Sequence, residues 1–176
     1  MTFQAFEYHD LLTVSEALDI AEDATGDYYK FSTGQWKRHQ YEVKTLLSLN
    51  DEKEGRNAFA SLKKGEWVCP KSERKHCKYD FYLICLQDHL ILDALRRDNQ
   101  LALLPLLVYV FTHELVHIVR FCNFFQRFEA SESKKGSEER LVHATTFEIL
   151  RKLSLPKLNY VLNSYMGHRV SEVFNS

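Results

Sequence analysis

LLPLLVYVFTHELVHIVRF, residues 103–121, is the stretch whose reading decides the fold. Apolar flanks on both sides of His113-Glu114-Leu115-Val116-His117 predict a buried helix. Pro105 suits only a first turn, so the helix starts near Leu103, and its pattern continues to about Arg127. Four residues apart on a helix, His113 and His117 point the same way. Glu114 lies about 100° round the cylinder. Two imidazoles so placed bind one metal ion, with the carboxylate beside the open coordination position. A Zn²⁺ held there acidifies a bound water, and the carboxylate takes the proton as that water attacks a carbonyl. Depth argues the same way, because buried polar groups without partners each cost about 1–3 kcal/mol. One metal ion satisfies all three. Tyr109, one turn before His113, and Arg120, three residues after His117, share the stripe. Each is a candidate to steady a ligand or the transition state, and Arg120 serves equally well as a surface salt-bridge partner.

His113, Glu114 and His117 resemble the motif of the HExxH zinc metallopeptidases, the zincins. The metzincin extension is absent, because Arg120 and Asn123 stand where that branch has glycine and histidine. The gluzincin branch takes a third ligand from a glutamate on a second helix downstream, often with an acidic residue four positions on. In SEERLVHATTFEIL (137–150), Glu139 and His143 stand at that spacing, with histidine where the gluzincin pattern has aspartate. Two assignments follow: Glu139 binds the metal while His143 orients a neighbour, or His143 binds and Glu139 is its hydrogen-bond partner. The resemblance spans roughly residues 80–150. It implies an α+β fold, predominantly helical, with a zincin-like active-site helix and a small β-sheet. It also implies one Zn²⁺ per chain, Glu114 as general base, and a peptide or protein substrate. Tyr160, Tyr165 and His168, on or beyond a last helix at 156–166, are the candidates for steadying the oxyanion.

Length and composition set wider bounds. With 176 residues, 45% of them hydrophobic, the chain builds one core, and 1–176 reads as a single domain. A net charge of −1 without a basic block points away from nucleic acid and anionic membranes. The start MTFQAFEYHD lacks the features of a signal peptide. Residues 101–112 are too short to span a bilayer, and extending them brings in His113, Glu114, His117 and Arg120. A soluble, cytoplasmic protein is expected, with its four cysteines reduced. Cys69 and Cys77, near His76, lack the tight C-x2-C spacing of structural zinc sites, while Cys85 and Cys122 fall in apolar runs as small hydrophobes.

Elsewhere the patterns are structural. Residues 11–24 predict a helix capped by Thr13 or Ser15, with Val14, Ala17, Leu18 and Ala21 facing inward and Gly26 as a stop. Val43, Leu46 and Leu47 suggest a second helix over 35–48, and Asp51 a third with Phe59 and Leu62 on its buried side. Residues 64–80 read as a loop or hairpin, and YDFYLICL (79–86) as a strand. By resemblance that strand is an edge that binds extended substrate; the alternative is an interior strand. Residues 88–97 predict a helix capped by Asp88. Residues 129–139 read as a polar loop, a connector or a lid, with Ser137 capping the next helix. Glu139 in a first turn would then also complement the helix dipole. Two non-enzymatic readings stand beside hydrolysis: a metal-stabilised module without turnover, and a metal-free interaction domain. Fe²⁺, Ni²⁺ and Co²⁺ also suit two histidines and a carboxylate.

Overall fold

In a computed structural model, the described residues are 4–32, 36, 40–46, 58–68, 78–123, 131–165 and 171–173. They form a predominantly helical α+β fold, in the order α1 (Tyr8–Tyr29), β1 (Tyr41–Lys44), β2 (Ala60–Val68), β3 (Lys78–Leu86), α2 (Asp88–Arg97), α3 (Leu103–Cys122), α4 (Glu132–Leu150), α5 (Leu158–Tyr165) and β4 (Ser171–Val173). The apolar run becomes the axis of the fold. Every residue of α3 from Pro105 to Val119 is buried, and the helix packs on α1, α4, α5 and the sheet. Among the described residues, α3 is the one helix long and apolar enough to cross a membrane, yet 83% of that window is enclosed by protein.

α1 covers one side of α3 through small buried residues, Ala17 and Ala21, that let the two helices approach closely. Its start lies further upstream than Thr13 or Ser15. Glu7 caps it in a reciprocal box in which the Glu7 N–H donates to Asp10 Oδ2 at 2.9 Å. Gly26 is not its stop. It sits inside the helix, where an added Cβ would meet Trp36 Nε1 at 2.8 Å. The chain turns out at Lys30 instead, in the left-handed conformation (φ 59°), with the Phe31 N–H donating to the Gly26 carbonyl.

Among the described residues the sheet holds four strands in the order β1-β3-β2-β4, with β2 antiparallel to β3 and the outer strands parallel to their neighbours. Tyr82, Ile84 and Leu86 of β3, with Ala60 and Leu62 of β2, alternate onto the core face. Two expected helices are strand in part: Trp36 is helical, but Tyr41–Lys44 and the Ala60–Leu62 stretch are extended. Tyr41–Lys44 pairs with Tyr82–Cys85, and Ala60–Val68 pairs along β3; residues 47–57 lie outside the described residues. The expected strand at 79–86 is present and, over Tyr82–Cys85, interior, flanked there by β1 and β2. Cys85 is buried there and Cys122 half-buried, both as free thiols, whereas Cys69, His76 and Cys77 lie outside the described residues.

α2 has the predicted bounds, but Asp88 does not cap its own helix. Its carboxylate accepts from the Phe6 N–H (3.1 Å) and the Leu46 N–H (3.3 Å), tying the start of the chain and the segment after β1 to one point. Burial outweighs these donors and pushes the carboxyl above its ordinary range. A raised folded-state pKa gives stability that is complete below the unfolded carboxyl value and is lost as pH rises through the folded one. We predict that Asp88→Asn flattens this part of the profile in urea melts at stepped pH. A variant profile parallel to wild type would refute it.

Candidate metal centre

Two helices bring the four polar positions together. α3 turns His113 and His117 to one side, and α4 presents Glu139 and His143 across from them, one turn apart. Glu139 Oε1 lies 3.0 Å from His113 Nε2, and Oε2 lies 3.1 Å from His117 Nε2. His143 Nε2 approaches the same Oε1 at 3.4 Å. Donor atoms of His113, Glu139 and His143 all fall within 4.8 Å of one another, and His117 joins them through Glu139. The structure therefore does not choose between Glu139 and His143. It places both at the histidine pair.

α4 begins at Glu132, inside the stretch expected to be a loop, and its N-cap is Ser131, not Ser137. Glu139 accordingly stands well beyond the first turn. Its position is not that of a dipole complement, because that effect fades within one turn. The register of α4 on α3 is held by Arg120, whose guanidinium grips Glu138 through two contacts: Nε to Oε1, and Nη2 to Oε2 at 3.0 Å. Arg120 thus points to the residue beside Glu139 and not into the centre, and the pair is largely buried. It is the salt-bridge reading, moved from the surface to the helix interface.

Tyr109 does reach the centre. Its hydroxyl is 3.0 Å from His143 Nδ1 and donates to the Tyr165 carbonyl at 3.3 Å. The Tyr165 ring stands beside the Tyr109 ring, centroids 6.2 Å apart, and faces a cavity of about 400 Å³ lined also by Phe59, Leu90, Leu101, Arg97 and Asp98. Tyr160 lies elsewhere, donating to Asp98 at 2.6 Å, and His168 is outside the described residues. One contact has no sequence signal: the Phe121 ring stacks on His117 (5.8 Å) and on Tyr82 of β3 (6.0 Å), a ladder from sheet to site.

Electrostatics separate the two α3 histidines. Burial lowers His113 to about 4, against the pull of Glu139. Burial acts on His117 too, but its hydrogen bond and charge interaction with Glu139 win, and its pKa is raised; Glu114 adds to the rise. Burial would raise Glu139, yet the three histidines facing it hold the carboxyl far below its usual range. The centre is an anionic carboxylate inside a ring of imidazoles.

Such a donor set fits a cation. His113 Nε2, His143 Nε2 and Glu139 Oε1 are buried and close together, yet the contacts among them lack hydrogen-bond geometry. Lone pairs that converge without a proton between them are what a metal ion satisfies. Glu114 is enclosed with no exposed surface, next in sequence to His113, while Glu139 (19% exposed) and His143 (10%) form the side nearest solvent. Compared with family models, characterised proteins and solved structures, the chain matches none.

Proposed function

We propose that the protein is a zinc-dependent hydrolase that cleaves a peptide or amide bond. The observation that carries this is the convergence of His113, His117 and Glu139, from two helices, with the buried Glu114 next in sequence to His113. His113, His117 and Glu139 hold the ion. When bound, Zn²⁺ supplies the Lewis acidity that makes a water nucleophilic near neutral pH. Glu114 takes the proton of that water and passes it to the leaving amine. The resemblance of these positions to the zincins is the reason for assigning peptide bonds as the class attacked.

The test is cleavage of a peptide library by zinc-loaded protein, read by mass spectrometry. Cleavage lost on chelation and restored by zinc is the expected result. Zinc-loaded protein that cleaves nothing would overturn the enzymatic reading. One observation favours a second reading, a metal-stabilised module without turnover: His113 and Glu114 have no exposed surface. On that reading chelation weakens the fold and the library stays intact.

A further inference from the structure

Tyr109 and Tyr165 decide which nitrogen of His143 carries a proton. The Tyr109 hydroxyl has one hydrogen and two neighbours, the Tyr165 carbonyl oxygen at 3.3 Å and His143 Nδ1 at 3.0 Å. A carbonyl oxygen can only accept, so the hydroxyl hydrogen goes to Tyr165. The phenol oxygen then accepts from His143 Nδ1–H. A neutral imidazole protonated on Nδ1 bears its lone pair on Nε2, the nitrogen 3.4 Å from Glu139 Oε1. That carboxylate oxygen is also only an acceptor. A protonated Nε2 would answer it with an N–H···O bond, but the contact lacks that geometry, and neither atom has a hydrogen-bond partner.

His113 meets the same oxygen in the same way at 3.0 Å. The two histidines thus aim unshared pairs at one carboxylate oxygen, an arrangement that is repulsive until a cation lies against all three atoms. Anchoring sets His143 apart. Among the described residues, Nδ1 of His113 and Nδ1 of His117 have no hydrogen-bond partner, whereas Nδ1 of His143 is held by Tyr109. Orientation of a metal-binding imidazole through its far nitrogen is a recurrent feature of metal sites.

We propose that His143 Nε2 binds the same metal ion as His113, His117 and Glu139, with Tyr109 and the Tyr165 main chain as its positioning groups. The proposal rests on the metal centre assigned above and extends it to three imidazoles and one carboxylate. Water or substrate then adds as a fifth ligand and does not fill an empty fourth position, an expansion zinc permits.

The experiment is ¹H–¹⁵N correlation of the imidazole nitrogens in zinc-loaded wild-type protein. Zinc affinity is measured beside it, by chelator competition, for wild type, His143→Ala and Tyr109→Phe. Three histidines with Nδ1–H and a metal-shifted Nε2 are expected, His143 among them. Affinity should fall at least about 100-fold in His143→Ala and about 10-fold in Tyr109→Phe, where His143 also loses its single tautomer. Zinc bound by His113 and His117 with His143 Nε2 unshifted overturns this inference and leaves the centre standing. Wild type that binds no zinc overturns both. The wild-type spectrum decides the matter even if a variant fails to fold.

Discussion

Glu114→Gln is expected to leave zinc content unchanged and to lower kcat for peptide cleavage by about 10²- to 10⁴-fold, the usual contribution of a positioned proton acceptor. The substitution keeps the size and polarity of the side chain and removes only its ability to take a proton. The enclosed site makes this a clean comparison, because a side chain with no exposed surface has little room to adopt a new pose. The charge of Glu114 adds to the rise in the His117 pKa that Glu139 produces. Zinc content by elemental analysis and turnover on one cleaved peptide suffice. Full activity in the variant sinks the assignment of Glu114 as base. Loss of zinc together with activity would recast the carboxylate as part of the metal's support.

Removing the metal is the second large effect. Chelation is expected to cost about 4 kcal/mol where free zinc had exceeded its Kd by roughly a thousandfold. At about 2–4 °C per kcal/mol for a chain of this length, Tm falls by roughly 8–16 °C. The physical reason is the contents of the gap between α3 and α4. Stripped of a cation, it holds a carboxylate whose Oε1 faces His113 and His143 without hydrogen bonds, and burial keeps His113 from protonating until pH reaches about 4. Beyond the Arg120–Glu138 pair, α4 adheres through a short apolar set. It buries Val142, Ile149 and Leu150, but Leu141 is 45% exposed and Glu138 and Thr146 take inward positions. Thermal melts with and without chelator measure the effect, with His117→Ala as the control that chelator should not move. Equal melting temperatures in wild type would show that zinc is no part of the fold.

What the chain displays in its sequence divides by range. α2 matches its expected bounds, and α3 starts where Pro105 requires, because a capped periodic run or a helix-restricted proline is a local signal. The meeting of His113 and His117 with Glu139 and His143 was also legible, as two i,i+4 pairs separated by enough chain to turn back. β1 and β2 were not. Val43 and Leu46, or Phe59 and Leu62, satisfy a helix template over so few residues, and what makes Val43 and Leu62 extended is pairing with β3, which no local period encodes. The first turns of α4 were missed for a different reason. ESKKGSEE has no apolar period to read, since its described residues are mostly exposed apart from Glu138 and Glu139, both charged. The Arg120–Glu138 grip needed the docking of α4 on α3, which no single segment encodes.

The interior place of β3 bears on how selective such an enzyme can be. Among the described residues the outer strands are β1, with four residues, and β4, with three. Alternate residues of an outer strand turn their main-chain groups outward, so each edge offers about two residues to a strand laid against it. Backbone pairing is indifferent to sequence, and a long free edge is what lets a peptidase accept many chains. Over Tyr82–Cys85 of β3, where β1 and β2 take both sides, that contribution is closed off. On the peptidase reading, recognition alongside that stretch falls to side chains and not to added strand pairing.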